Sequence, residues 1–407
     1  MSIDFQIPDE IRKIRDRVAH HVASAVVPLE ATALDGGHGP SEEVRRELHQ
    51  AARAAGVFAP HVPREWGGLG LDMRGQAVVL EEAGRSLIGP LSLNAAAPDE
   101  GNMHLLHRVA TEEQKKAYLA PLAAGDQRSC FAMTEPPPGA GSDPSALRTT
   151  ATRTDSGWVI NGRKRFITGA VGASFAICMA RTPAAGEDSG LATMFLVDAD
   201  NPGMRVGRQI GSIDGAFIGG HCEVVFEDCE VPSSAVLGEP GAGFRYAQVR
   251  LAPARLTHCM RWLGAARRAH EIAMEHAGSR RLFGSELGEL GMAQAMIADN
   301  EIDIAASRAL IWQAAWALDQ GHAGKHETSI TKTFVSEAVG RVVDRAVQLC
   351  GSLGVSDESP LAQIYRDVRP FRIYDGPSEV HRWSIARRAL RHHRGWSAAS
   401  TSGASRA

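Results

Sequence analysis

The spacing of apolar positions changes twice along the chain. Val44, Leu48, Ala51 and Ala55 recur on one helical face behind Ser41-Glu42-Glu43, which reads as an N-cap with an acidic first turn, and Gly56 closes the segment. Thr111-Glu112-Glu113-Gln114 matches a capping box, and the helix it opens runs through Tyr118, Leu119 and Leu122 to Gly125. Residues 1–126 therefore read as an N-terminal helical domain. From residue 127 the texture shortens to β-type runs at 130–134, 147–154, 158–160, 175–180, 193–197 and 221–226, with Asp155-Ser156-Gly157 as a hairpin turn between two of them. Their close spacing, without intervening helices, predicts an antiparallel sheet or barrel over 127–238. Ala-rich helical patterns fill 239–395, broken near Arg280, Gly321, residues 351–360 and Gly376-Pro377, and four or five such helices predict an antiparallel bundle. Residues 396–407, rich in Ser, Ala and Gly, are expected to be a disordered tail.

Composition narrows the function. At 407 residues the chain exceeds one core, and a hydrophobic fraction of 44% with 22% charged residues is ordinary for a soluble multidomain protein. A net charge of -3 carries no polyanion-binding signature, so nucleic acid is not an expected partner. The start of the chain lacks a basic then apolar leader, and no apolar run approaches the roughly 18 residues of a membrane span, so no membrane is expected and the reading is cytoplasmic. Cysteines 130, 178, 222, 229, 259 and 350 show no zinc-ligand spacing and read as reduced core thiols. His104 and His107 have helical spacing but no acidic third ligand, so no metal is expected.

Three stretches could carry chemistry. Residues 131–143, Phe-Ala-Met-Thr-Glu-Pro-Pro-Pro-Gly-Ala-Gly-Ser-Asp, join a strand end to a Pro/Gly loop whose backbone N–H groups and hydroxyls could meet a flat polar ring or a phosphate. Phe166-Ile167-Thr168, after the turn residues Asn161-Gly162-Arg163, adds an aromatic face and a hydroxyl from the same sheet. Taken singly, Phe166 reads as core and Thr134 and Thr168 as strand hydroxyls. At Asp375-Gly376-Pro377 a carboxylate sits between two helical stretches, with Pro377 suited to open the second. There Asp375 is either an N-cap or a base that can reach a ligand and still ionise.

Taken together these stretches resemble the FAD-dependent acyl-CoA dehydrogenase family over nearly the whole chain. Residues 63–72 resemble its N-terminal loop; Met133-Thr134-Glu135-Pro136 with Gly139-Ala140-Gly141-Ser142-Asp143 resembles its T-E-P-G-A-G-S-D flavin loop; Arg280-Arg281-Leu282-Phe283-Gly284 resembles R-x-x-F-G; and Gln348-Leu349-Cys350-Gly351 resembles Q-x-x-G. The resemblance implies an α+β multidomain fold of N-terminal α-helical domain, middle antiparallel β-barrel and C-terminal four-helix bundle. It also implies that Phe131, Met133, Thr134, Ser142, Phe166 and Thr168 surround the flavin ring, with Ser142 at the CoA entrance. Arg280, Phe283, Gln348, Gly351, Pro377 and Glu379 would hold the rest of FAD, in part across a subunit interface. Asp375 would be the catalytic base and Arg255, Tyr374 and Gly376 substrate neighbours. The implied reaction is α,β-dehydrogenation of an acyl-CoA to a 2,3-enoyl-CoA in a homodimer or homotetramer, with electrons passed to an electron-transfer flavoprotein.

The sequence departs from the family pattern at several points. The usual Y-E-G-T glutamate is Asp375, shorter by about 1.5 Å of reach. The Asp-Gly-Pro-x-Glu-Val-His form and Thr257-His258-Cys259-Met260-Arg261 resemble the subgroup that includes family members ten and eleven. Where some relatives carry the base on the preceding helix, this chain has Ala254; Pro137-Pro138 lengthens the flavin loop; and Gly291 stands where the family has a FAD-contacting Gln. Two other readings follow, a nitroalkane oxidase-like flavin oxidase, whose base is an Asp, and a non-catalytic assembly partner.

Overall fold

The computed structural model describes residues 5–184 and 187–403. Its helical N-terminal part contains Asp9–His21, Val27–Leu34, Glu42–Ala54, Met73–Ala83 and Asp99–Val109. Ser41 Oγ accepts from Val44 N at 3.2 Å, and Thr111 and Gln114 make both bonds of the capping box, so these helices start where the sequence places them. Residues 63–72 form the expected loop, and Asp72 ends it by accepting from Gly75 N at 2.7 Å at the head of Met73–Ala83.

Seven strands follow: β1 (Ser129–Ala132), β2 (Thr150–Arg153), β3 (Gly157–Thr168), β4 (Phe175–Ala184), β5 (Glu187–Asp198), β6 (Met204–Ile210) and β7 (His221–Pro232). They make one curled sheet in which β5 flanks β4, β1 and β2 run beside β4, and β3, β7 and β6 continue from β2. The sheet is mixed, not wholly antiparallel as expected: β1 and β2 run parallel to β4. Parallel neighbours require a crossover, which the loop at 133–149 and the β2–β3 hairpin supply. That hairpin forms at residues 154–156 with Arg153 opposite Trp158. Asn161-Gly162, read above as a turn, lies instead inside β3 at a bulge, where a Cβ on Gly162 would stand 2.3 Å from Thr149 Oγ1. Strand β6 has no counterpart among the expected runs, because only Met204 and Ile210 at its ends are buried and no alternation marks it.

Alternation along β4 and β5 serves two cores. Phe175, Ile177, Met179, Met194 and Leu196 join a large core shared with the helices, while Ala176, Cys178, Ala180, Phe195 and Val197 face a smaller one inside the curl with Trp158 and Phe226. The C-terminal helices Gly243–Ser279, Gly291–Asp319 and Lys325–Cys350 pack on one another, and Ser378–Gly403 packs on Lys325–Cys350. Met73–Ala83 packs against the first two of these. Where it crosses Gly243–Ser279 only glycine fits, since a Cβ on Gly84 would stand 1.9 Å from Arg261 O and one on Gly264 2.0 Å from Glu81 O. The last helix is described as far as Gly403, within the stretch expected to be a disordered tail. All six cysteines are buried and free. No helix among the described residues is long and apolar enough to cross a membrane.

Candidate active site

Asp375 lies between the 3-10 turn Arg369–Arg372 and the helix Ser378–Gly403. The backbone is left-handed at Asp375 (φ 54) and at Gly376 (φ 102), and a Cβ on Gly376 would stand 2.7 Å from His381 Nε2. Asp375 Oδ2 is buried with no hydrogen-bond partner, so this oxygen is not spent on capping the helix. His258 Nε2 stands 3.5 Å from it. Burial, with the charges of Arg261, Arg250 and Lys332, pushes the His258 imidazole well below its ordinary pKa, so it faces the carboxylate neutral and the contact is not an ion pair.

The expected substrate neighbours are engaged with the protein itself. Arg255, buried, donates from Nε to the Asp375 carbonyl at 2.8 Å. The Tyr374 hydroxyl accepts from Trp262 Nε1 and lies 3.5 Å from His258 Nδ1. His258 and Trp262 in turn line an apolar cavity between Gly243–Ser279, residues 84–97 and the segment 216–218, with Leu87, Leu91 and Phe217 among its walls.

That last segment is tied down by Asp367, whose Oδ1 accepts from Gly215 N at 3.0 Å and Ala216 N at 2.9 Å. Burial raises Asp367 to a pKa of about 6 despite these bonds. A carboxyl raised in the fold contributes stability that is fully present below its unfolded pKa, near 4, and is lost as pH rises through 6. Asp367→Asn keeps an acceptor for both N–H groups and does not ionise. It is expected to melt higher than the parent at pH 7.5, by the equivalent of about 2–3 kcal/mol, and to match it at pH 4. Equal melting differences at both pH values would count against this account.

The ring-binding candidates cluster at the rim of the sheet. Arg250 lies over Phe131 at 4.2 Å, Arg165 N donates to Thr134 O at 2.8 Å, and Thr168 Oγ1 is 3.0 Å from His221 Nδ1. Beneath them Glu135 and Lys164, both buried, are 2.9 Å apart. Lys164 also donates to the Met133 carbonyl at 3.2 Å, and Glu135 accepts from the backbone of Ala140, Arg148 and Thr149. With Lys164 and these amides around it, Glu135 is held at a pKa of about 2 although burial alone would raise it. Phe166 is left-handed (φ 57) yet its ring is 52% exposed, and Phe283 repeats the combination at φ 53 and 93%. A strained backbone that turns an aromatic outward is costly unless something covers the ring, and a flat cofactor fits that need.

Other candidates lie on exposed stretches. Ser142, Arg280, Gln348, Gly351 and Glu379 are exposed, with Arg280 and Phe283 at the far end of Gly243–Ser279, beside the hairpin Arg281–Leu282/Ser285–Glu286. Within one chain no described hydrogen bond or ring contact joins Arg280, Phe283 or Gln348 to the Phe131–Thr168 cluster. His258, Trp262, Phe217 and Lys332 had no role assigned from the sequence. His258 falls in the Thr257–Arg261 stretch, which carried no role for it, and Lys332 sits on a helix face with no local motif; contacts distant in sequence reveal both.

The structure thus combines an unpartnered Asp375 oxygen beside His258, which lines an apolar cavity, with aromatic and hydroxyl side chains at the rim of a curled sheet. The acyl-CoA dehydrogenase N-terminal, middle and C-terminal domain families match residues 8–126, 130–229 and 241–390. The chain is 38% identical to the probable acyl-CoA dehydrogenase FadE2 of Mycobacterium tuberculosis, covering 95% of this chain and 97% of that protein. It is 37% identical to acyl-CoA dehydrogenase family member 11 of Gallus gallus over 92% of its length, but spans only 49% of that protein. Butyryl-CoA dehydrogenase from Megasphaera elsdenii superimposes with a TM-score of 0.86 at 28% identity, covering 95% of this chain and 100% of that one. The chain belongs to the acyl-CoA dehydrogenase family, an FAD-dependent oxidoreductase family.

Proposed function

We propose that the protein removes two hydrogens across the α and β carbons of an acyl-CoA thioester, with Asp375 as the base. The observation that carries this is the Asp375 carboxylate oxygen, buried without a hydrogen-bond partner beside a neutral His258 that also lines the apolar cavity. A proton on the carbon next to a thioester carbonyl is acidified by hydrogen bonds to that carbonyl, and an unspent carboxylate oxygen is what receives it. The cavity's apolar walls suit an acyl chain and exclude water from the reacting carbons. Phe131, Met133, Thr134, Phe166 and Thr168 would hold the flavin ring, with Ser142 at the CoA entrance. Arg280, Phe283, Gln348, Gly351, Pro377 and Glu379 would hold the remainder, from a second copy of the chain where they are remote in the first. When bound, FAD accepts the β-hydrogen as hydride. A homodimer or homotetramer and an electron-transfer flavoprotein as acceptor complete the reading.

Mixing the enzyme anaerobically with a panel of acyl-CoAs and, separately, with a nitroalkane tests it. The flavin band is expected to bleach only with a thioester, and to recover slowly in air but quickly with an electron-transfer flavoprotein. Bleaching by the nitroalkane alone, with fast recovery in air and peroxide formed, would establish the oxidase reading instead.

A further inference from the structure

Lys332 is fully buried, yet no carboxylate oxygen among the described residues lies within ion-pair distance of its amine. The amine donates to the Gly376 carbonyl at 2.7 Å and stands 5.3 Å over the Phe371 ring. A buried ammonium with a single carbonyl acceptor is costly, and an apolar side chain of the same length would pack there at less expense. What the amine touches accounts for its presence. The left-handed pair Asp375-Gly376 turns two carbonyls inward, and three buried side chains from three helices take them: Arg255 Nε at 2.8 Å and His381 Nε2 at 3.2 Å on Asp375 O, and Lys332 on Gly376 O.

We propose that Lys332 is a positioning residue for catalysis, pinning the Gly376 carbonyl so that the strained turn presents the Asp375 carboxylate to the substrate. The proposal rests on Asp375 being the base. Arg255 and His381 hold the near side of the turn, and without Lys332 the far side can rotate about Gly376, whose backbone is the least restrained in the segment. Burial lowers the Lys332 pKa to about 8, with Cys259, Asp375 and Glu379 acting to raise it and Arg255 to lower it further. The fold therefore disfavours the charge it retains, which fits a group kept for function at the expense of stability.

Lys332→Met, Asp375→Asn and the double variant, each with FAD, are compared by anaerobic stopped-flow reduction with an acyl-CoA that reduces the parent. Lys332→Met is expected to slow reduction about ten- to a hundredfold, the scale of a small misplacement of a catalytic group, while FAD content and the concentration for half-maximal rate stay within about twofold. Its melting temperature should equal or exceed the parent's. In the double variant the Lys332 change should have no further effect, because it acts through a carboxylate already removed. Parent-like reduction by Lys332→Met beside a slow Asp375→Asn would overturn the positioning role alone; a parent-like Asp375→Asn would overturn the base assignment and this role with it. Multiplying effects in the double variant would likewise reject it. Should Lys332→Met fail to fold with FAD, Lys332→Gln, which keeps a shorter donor, takes its place, and failure of both makes Lys332 a structural residue only.

Discussion

Asp375→Asn is expected to leave FAD and acyl-CoA binding intact and to slow flavin reduction about 10²–10⁴-fold, the usual contribution of a positioned base. The substitution is nearly isosteric, and the contacts that fix the turn are made to the backbone: Arg255 and His381 hold the Asp375 carbonyl whichever side chain follows. The loss should therefore fall on the rate of reduction and not on the concentration of acyl-CoA that half-saturates it. Asp375→Glu is the informative companion, since it adds one methylene of reach on a left-handed backbone. Stopped-flow absorbance of the flavin under anaerobic conditions, across a range of acyl-CoA concentrations, separates rate from affinity. Parent-like reduction by Asp375→Asn would return Asp375 to the role of a turn residue.

The second large effect is expected at the floor of the cofactor rim. Lys164→Met should cost about 3–5 kcal/mol, because it leaves the Glu135 carboxylate buried without its cation. Lys164→Met with Glu135→Gln should lose markedly less: the amide oxygen still accepts from Ala140 and Arg148, the bond from Thr149 is given up, and no uncompensated charge remains. Glu135 binds the loop at Ala140, Arg148 and Thr149, while Lys164 reaches the Met133 carbonyl, so the single variant should also release flavin. Thermal melting with flavin fluorescence as a second signal checks both. A single variant as stable as the double would show that the pair contributes nothing as a pair.

Much of this arrangement was legible in the sequence because short-range chemistry wrote it. Ser41 and the Thr111 capping box fix helix starts through bonds spanning three residues, and the break at Gly376-Pro377 is local steric chemistry. The Pro/Gly loop after β1 and the junction at Asp375 are visible as local breaks for the same reason, while the roles given to them came from the family resemblance. Features set by distant partners were not. Asn161-Gly162 has the composition of a turn, but Thr149 packed against Gly162 makes it a bulge in a long strand. Strand β6, buried only at its ends, lacks the alternation by which strands are read. The bond from Arg255 Nε to the Asp375 carbonyl, a partner 120 residues away in sequence, has no local sign either.

The division of the sheet's side chains between two cores also limits how modular the protein is. The three family segments are separable along the chain, yet Phe175, Ile177, Met179, Met194 and Leu196 belong to the same apolar interior as the helices on either side of them in sequence. Excised alone, the middle segment would present that stripe to water and be driven towards self-association. Chimeras that exchange middle segments between relatives should therefore succeed or fail on whether these five positions match the recipient's helices, whatever the quality of the join at the linkers.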